Sequence, residues 1–264
     1  MIGLKRLAMQ SLETQNKQKS FYFAHVAETT STNSDLLSFV KQNDLETPLL
    51  LWADNQTAGR GTRGREWKTP SEALLFSLAI PLKLPIQHYV GVTLTIGKKI
   101  VRFLRSKGIN AALKWPNDIV VDGKKMAGIL VENTKNFQGR DTLVIGVGLN
   151  LKNADFELEE YGACAVQDFI DLSVNFELKN AWVNALGDCL IDAVDEVALF
   201  GLEKTVKEWK SVAAYQGETI DLYQEGEIVC RAVQHGIDES GRLLISTPDG
   251  IRAYMSGTIS LRKK

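Results

Sequence analysis

The stretch that most constrains the fold is residues 56–67, which read Gln-Thr-Ala-Gly-Arg-Gly-Thr-Arg-Gly-Arg-Glu-Trp. Apolar segments at 49–54 and 73–80 flank it, so the sequence predicts a basic, glycine-rich loop between two strands. Glycine lets a backbone come close to a ligand and arginine offers a fork of cationic donors, a combination that suits phosphate. The spacing matches neither the P-loop nor the dinucleotide fingerprint. A solvated Arg/Gly loop that binds RNA loosely is the alternative interpretation.

The composition excludes several classes of protein. A length of 264 residues suffices for one large domain, with or without a small appendage. Lys+Arg 31 against Asp+Glu 32 leaves a net charge of -1, which argues against a protein that coats nucleic acid. The scattered cysteines and histidines do not form a zinc motif, and no apolar run is long enough for a signal peptide or a membrane span. We therefore expect a cytoplasmic protein without membrane association.

The region before the loop contains a cluster of hydroxyl and amide side chains. Residues 21–27 read as a strand, and Ser31, Thr32 and Asn33 follow it as candidate N-caps of a helix with an apolar face. Capping alone explains these side chains from the local pattern. The N-terminal extension, residues 1–20, is too short for a helix-turn-helix domain.

The region after the loop predicts a helix over 89–104 and then a strand that ends in Lys114. A lysine at the end of a strand is a candidate catalytic cation, although an exposed edge lysine is the simpler interpretation of the local sequence. Residues 119–132 predict a hairpin around an Asp-Gly turn. The strand predicted over 142–150 contains glycines at which the backbone could approach a ligand.

In the last third of the chain, the predicted secondary structure changes from helices to short strands. Residues 180–215 have helical periodicity with a break near Gly201, and short strands separated by turns follow. The predicted strands are 219–223, 227–235, 243–246 and 252–255. We place a domain boundary at 213, which gives a main domain of residues 21–212 and a C-terminal domain of residues 213–264.

A set of motifs resembles, in order and at similar spacing, the biotin protein ligase family. The motifs are Ser31-Thr32-Asn33, residues 56–67, Lys114-Trp-Pro-Asn-Asp118, Ala127-Gly-Ile-Leu-Val-Glu132 and Ile145-Gly-Val-Gly-Leu-Asn150. Each is weak alone, but Lys-Trp-Pro-Asn-Asp downstream of Gly-Arg-Gly-x-x-Gly-Arg is specific. The resemblance implies an α+β fold, with a mixed-sheet catalytic domain related to class II aminoacyl-tRNA synthetases and lipoate ligases. A small C-terminal SH3-like β-barrel would follow.

The resemblance also implies an activity. Biotin carboxylate would attack the α-phosphate of MgATP to give biotinyl-5′-AMP, which a lysine of the biotin carboxyl carrier protein of acetyl-CoA carboxylase would then attack. The required small molecules are biotin, ATP and Mg²⁺, and the metal would come with ATP rather than bind in a protein cage. Because these steps bring negative charges together, they need cations, and we assign Lys114 and Arg60 as catalytic.

The implied binding residues form two sets. Biotin needs short polar partners for its ureido group and apolar neighbours for its rings. The predicted biotin-binding residues are Ser31, Thr32, Asn33, Gln56, Gly59, Arg60, Gly61, Thr62, Trp67, Lys114, Gly128 and Ile129. The predicted nucleotide-binding residues are Arg63, Arg65, Trp67, Asn117, Gly146, Gly148 and Asn150.

Two departures from the family pattern affect the expected function. Many relatives have arginine where this chain has Thr62, so one cation that would face the adenylate phosphate is missing. Residues 1–20 cannot supply the DNA-binding domain of repressor-type members, so we expect no DNA binding. The sequence leaves the oligomeric state open, a homodimer included. The alternatives are a lipoate-protein ligase and a non-enzymatic biotin-sensing regulator, and the presence of Lys114 argues against the regulator.

Overall fold

The computed structural model describes residues 21–68, 72–152, 162–224, 226–257 and 259–263, so the predicted extension 1–20 lies outside the described residues. A large sheet of seven strands is followed by a C-terminal sheet of five strands. The large sheet contains β1 (Tyr22–Thr29), β2 (Leu49–Gln56), β3 (Glu72–Pro81), β4 (Ala112–Lys114), β5 (Asp118–Val121), β6 (Lys124–Lys135) and β7 (Asp141–Lys152). The helices are α1 (Thr32–Gln42), α2 (Val92–Ser106), α3 (Phe176–Phe200) and α4 (Glu203–Val212).

The large sheet is mixed, as predicted. Its strand order is β1-β2-β3-β7-β6-β5-β4, with β1 parallel to β2 and the other neighbours antiparallel. Both faces are covered, and alternate residues of β2 show this: Leu50 and Trp52 join the core under α2 and α3, whereas Leu49 and Leu51 join the core under α1. Because the middle strands are buried on both sides, they read as nearly continuous apolar runs.

Turns with left-handed backbone fix two of the connections. Asp122 and Gly123, with φ of 49° and 78°, join β5 to β6 in the predicted Asp-Gly hairpin. Gly201, with φ of 57°, separates α3 from α4 at the predicted helix break. In both places glycine adopts a conformation that most residues avoid.

The basic loop lies between β2 and β3, as the sequence predicts, and it is folded back on itself. An antiparallel bridge joins Arg60 to Glu66, and the Gly61 N–H donates to the Arg65 carbonyl at 2.7 Å. A single 3₁₀ turn, Thr62–Gly64, forms its tip, where Arg63 has a φ of 59°. The loop is therefore a short hairpin whose tip presents cations on strained backbone.

A buried ionic cluster joins three helices behind the large sheet. The Lys98 side chain on α2 has 0% exposure and donates to Glu196 on α3 at 2.6 Å and to Glu208 on α4 at 2.8 Å. Burial raises the pKa of Glu196, but the hydrogen bonds from Lys98 and Lys99 outweigh it, so the net pKa is lowered. The hydrogen bond from Lys98 is the main reason that the pKa of Glu208 is also lowered. Both carboxylates are thus held in the charged form that the buried ammonium needs.

The C-terminal sheet is antiparallel and has the strand order β11-β10-β9-β8-β12. Its strands are β8 (Thr219–Gln224), β9 (Glu227–Ile237), β10 (Leu243–Thr247), β11 (Gly250–Tyr254) and β12 (Ser260–Lys263). The sequence predicted the first four strands and missed β12, which is short and carries two basic residues. Closure of this sheet into a barrel stays a prediction, as does the boundary at 213, which falls between α4 and β8.

None of the helices in the described part of the chain is long and apolar enough to span a bilayer.

Candidate functional site

The first cavity, of about 310 Å³, lies on the large sheet under the basic loop. Strands β2, β3, β6 and β7, the start of α1 and the loop all contribute to its lining. It brings together most of the residues that the sequence singled out. These are Ser31, Thr32, Asn33, Gln56, Arg60, Gly61, Thr62, Arg65, Trp67, Asn117, Gly128, Ile129, Gly146 and Gly148.

The second cavity, of about 350 Å³, adjoins the first, because Thr62, Arg65, Asn117 and Ile129 line both. Its lining extends over the start of α2 to residues of the C-terminal sheet and its turns. The sequence placed Lys114 with biotin, and the structure places it in the second cavity, with a side chain that is 4% exposed. The interpretation as an exposed edge lysine is therefore wrong.

Three further predicted residues lie outside the first cavity. Arg63 lines only the second cavity, and Gly59 and Asn150 line neither. The backbone at Gly59 packs against Trp67, where a Cβ atom would come within 2.9 Å of the Trp67 carbonyl oxygen. The buried Asn150 amide donates to the Cys164 carbonyl at 3.0 Å and so braces the end of β7. The nucleotide-binding role of Asn150 stays a prediction.

The start of α1 forms the polar wall of the first cavity. Ser31 is the N-cap, and its Oγ accepts a hydrogen bond from the Ser34 N–H at 3.4 Å. The next residue, Thr32, donates its N–H to Gln56 Oε1 at 2.8 Å, which ties the helix to the end of β2. The hydroxyls therefore cap the helix, as the local pattern indicated, and also line the cavity.

A chain of hydrogen bonds runs from this wall through the sheet to Glu132 on β6. Thr32 Oγ1 lies 2.7 Å from Ser77 Oγ, which in turn lies 2.5 Å from Asn33 Oδ1. The Asn33 amide nitrogen donates to Glu132 Oε2 at 2.9 Å. Polar groups on two strands and one helix are thus connected along the cavity wall, which Thr32, Asn33 and Ser77 all line.

Glu132 also holds Arg60, the cation that the sequence assigned to catalysis. The guanidinium makes a bidentate pair with the carboxylate, Nη2 to Oε1 at 2.7 Å and Nη1 to Oε2 at 3.1 Å. This geometry fixes the plane of the guanidinium at the cavity rim. Glu132 closes one of the family-like motifs, but the sequence gave it no role, because its partners lie 72 and 99 positions away.

The Trp67 indole packs against two glycines of the cavity wall. A Cβ atom on Gly148 would lie 2.4 Å from Trp67 Cε2, and one on Gly128 would lie 2.9 Å from Trp67 Cζ3. Above the ring, Lys125 Nζ is 5.5 Å from the centroid and 2.5 Å from an oxygen of Asp118. The glycine at 148 therefore makes room for a protein side chain, and not only for a ligand.

The second cavity lies against the C-terminal sheet, and two hydrogen bonds cross between the sheets there. Arg63 Nη2 on the loop tip donates to the Ile259 carbonyl at 2.8 Å. The Trp115 indole N–H, next to Lys114, donates to the Gly241 carbonyl at 3.0 Å. The loop and the end of β4 are therefore both tied to the C-terminal sheet.

The buried side chain of Cys164, after β7, is not a reactive nucleophile. Burial is the main reason that the pKa of Cys164 is raised to about 12, so this cysteine is a thiol at neutral pH. Among the described residues, no group of His, Cys, Asp and Glu side chains has the arrangement of a metal site. The chemistry that this arrangement supports is binding and charge neutralisation of anions by arginine and lysine.

Comparison with known proteins agrees with this geometry. The "Biotin/lipoate A/B protein ligase family" model matches residues 25–150, and the "Biotin protein ligase C terminal domain" model matches residues 217–262. The bifunctional ligase/repressor BirA of Escherichia coli is 30% identical over 88% of this chain and 71% of its own length. The biotin--[acetyl-CoA-carboxylase] ligase of Paracoccus denitrificans is 28% identical over 85% of this chain and 94% of its own length.

Solved structures give the same result. A biotin protein ligase from Aquifex aeolicus, in complex with biotin and ATP, superposes with a TM-score of 0.73 at 28% identity, covering 92% of this chain and 99% of that one. The fold, the paired cavities and the two domain matches define a protein ligase of the biotin and lipoate class. Within that class, the chain belongs to the biotin protein ligase family.

Proposed function

We propose that the protein activates biotin with ATP as biotinyl-5′-AMP and transfers it to a lysine of the biotin carboxyl carrier protein of acetyl-CoA carboxylase. The observation that carries the proposal is the pair of adjoining cavities, which share Thr62, Arg65, Asn117 and Ile129. Two substrates bound in them would meet at those shared residues. The Aquifex aeolicus relative, solved with biotin and ATP together, supports the same pairing.

Biotin fits the first cavity by its chemistry. One wall of the cavity offers hydroxyl and amide groups, from Ser31, Thr32, Asn33 and Gln56, to a ureido ring. A dithiolane ring has no N–H or carbonyl group that could form hydrogen bonds with them. Trp67 and Ile129 offer apolar surface to the rest of the molecule. Arg60 lies at the rim with its guanidinium oriented by Glu132, where an anionic group of the substrate would pass.

The triphosphate of ATP fits the cationic side of the second cavity, where Lys114, Arg63 and Arg65 all contribute to the lining. A carboxylate oxygen of biotin forms a bond to the α-phosphorus, and the bond to pyrophosphate breaks. Lys114 and Arg65 would offset the charge that gathers as these anions meet. ATP enters as its Mg²⁺ complex, in which the metal neutralises phosphate oxygens.

The second step consumes the adenylate. The neutral amine of the acceptor lysine attacks the biotinyl carbonyl carbon, the acyl–oxygen bond to AMP breaks with its electron pair, and the amine loses a proton to solvent. The roles of Lys114 and Arg60 in catalysis, and the assignment of the two cavities to biotin and nucleotide, are part of this proposal. The domain limits 1–20, 21–212 and 213–264 complete it.

Several finer features extend the proposal to partners and location. The acceptor is the carrier domain of acetyl-CoA carboxylase, by likeness to the Paracoccus denitrificans ligase. We also propose that the enzyme works in the cytoplasm, as a monomer or homodimer, without binding DNA.

The proposal is tested by thermal melting and by mass spectrometry of a purified carrier domain. Biotin with MgATP should raise the melting temperature more than either alone, because the adenylate binds across both cavities. The carrier should gain the mass of one biotinyl group, and lipoate in place of biotin should give no product. Transfer of lipoyl instead would make the protein a lipoate ligase. Biotin binding without pyrophosphate release would make it a regulator.

A further inference from the structure

The hydrogen-bond chain from Glu132 to Thr32 has a direction that can be worked out from its chemistry. A carboxylate only accepts, so the Asn33 atom that faces Glu132 must be the amide nitrogen, and the atom that faces Ser77 must be the carbonyl oxygen. The Ser77 hydroxyl has one proton, and it must therefore donate that proton to Asn33 Oδ1.

The direction of the hydrogen bond from the Thr32 hydroxyl follows in the same way. With the Ser77 proton used, Ser77 Oγ can only accept from Thr32 Oγ1, which is 2.7 Å away. Gln56 Oε1, at 3.1 Å from the same hydroxyl, is the more distant acceptor and already receives the Thr32 N–H. Ser77 is 0% exposed, so water does not compete for its hydroxyl, and Thr32 is 3% exposed at the cavity wall. Thr32 Oγ1 is left with lone pairs and no proton for the cavity.

We propose that Glu132 is a specificity-determining positioning residue: through Asn33 and Ser77 it makes Thr32 an obligate acceptor that selects a ligand N–H. Glu132 itself is outside the lining of both cavities, so it would act through the side chains that it holds. The inference rests on the proposed function, since the N–H donor in question belongs to the ureido ring of biotin. If a ring oxygen replaced that N–H, it would face the lone pairs of Thr32 Oγ1 without a proton between the two oxygens, and the contact would be repulsive.

The test measures binding of biotin and of two cyclic carbamate analogues, each with one ureido N–H replaced by oxygen, by calorimetry. In the wild type, the analogue that faces Thr32 should bind roughly 10- to 100-fold more weakly than biotin, the scale for a buried polar group left unpaired. Glu132→Gln replaces an acceptor-only group with an amide that can also donate, so the chain can reverse and Thr32 can donate. In this variant, biotin should bind no more than about threefold more tightly than the analogue that faces Thr32.

Matched variants separate this effect from others. Glu28→Gln alters a carboxylate that also accepts from an asparagine, Asn55 at 2.8 Å, but lines neither cavity, so it should keep the wild-type ratio. Ser77→Ala cuts the chain without touching Glu132, and should lower the ratio as Glu132→Gln does.

The outcomes are distinct from a failure of the proposed function. If the wild type does not bind biotin, the function is wrong. If it binds biotin and Glu132→Gln, shown to be folded by its melting curve, keeps the full ratio, the role of Glu132 is refuted. Should Glu132→Gln not fold, an unchanged ratio in Ser77→Ala refutes the proposal instead. A loss of the ratio in Glu132→Gln but not in Ser77→Ala, which leaves the ion pair between Arg60 and Glu132 in place, would assign the effect to that ion pair and would also overturn the proposal.

Discussion

The contact between Trp67 and Gly148 allows a quantitative prediction for Gly148→Ala. The added Cβ atom would lie 2.4 Å from Cε2 and 2.5 Å from Cζ2 of the indole. The backbone of β7 is paired on both sides, with β3 and with β6, so the indole has to move. Overpacking of this kind costs about 1–3 kcal/mol. Because Trp67 lines the first cavity, we expect the displaced indole to weaken biotin binding, by at most about 150-fold, the loss when the whole overpacking cost opposes binding.

Calorimetric titration with biotin measures this loss, and two variants interpret it. Gly162→Ala is the matched control, because its Cβ atom would lie 3.8 Å from the nearest Lys124 atom, an ordinary contact, and its affinity should not change. In a Trp67→Ala background, Gly148→Ala should cost less than about a further twofold, since the colliding ring is gone. If the losses of the two substitutions add in full, the indole is not the obstacle and the reasoning fails.

Three further predictions address the cations and the buried cluster. Lys114→Ala should leave the fold intact and slow biotin-dependent pyrophosphate exchange by about a hundredfold or more, and an unchanged rate would remove this lysine from the mechanism. Thr62→Arg should slow release of labelled adenylate by up to roughly thirtyfold, because a charge-assisted hydrogen bond replaces a neutral one; equal release from both proteins would contradict this. The lowered pKa values of Glu196 and Glu208 stabilise the fold above their ordinary value of 4.5, and that stability is lost as the pH falls through the lowered values. Urea unfolding between pH 3 and pH 7 should therefore show a steep acid-side loss that Lys98→Met reduces, and identical profiles would refute the assignment.

Local chemistry in the sequence predicted much of the fold. The Asp122-Gly123 turn, the helix break at Gly201 and the loop between β2 and β3 each depend on neighbouring residues, and the structure contains all three. Strand β12 was missed because four residues with two basic side chains give little periodicity, and its only described sheet partner is β8.

The candidate site was predictable only in part, because its remaining features are long-range contacts. The polar residues of the first cavity lie in recognisable motifs, so the sequence could name them together. The partner of Arg63 is a backbone carbonyl 196 positions away, and no pattern of side chains encodes that contact. Lys114 belongs to a motif that the sequence identified, but the cavity that it faces depends on how the C-terminal sheet packs.

The hydrogen bonds that Arg63 and Trp115 donate to the C-terminal part of the chain end on main-chain oxygens, those of Ile259 and Gly241. A carbonyl acceptor survives replacement of its own side chain, so the acceptor at Ile259 does not depend on which residue stands there. Gly241 is different, because its φ of 76° favours glycine and an added Cβ atom would lie 3.0 Å from Leu94 Cδ1. Evolution can therefore change position 259 and keep the attachment to the loop, whereas the attachment to Trp115 requires glycine at 241.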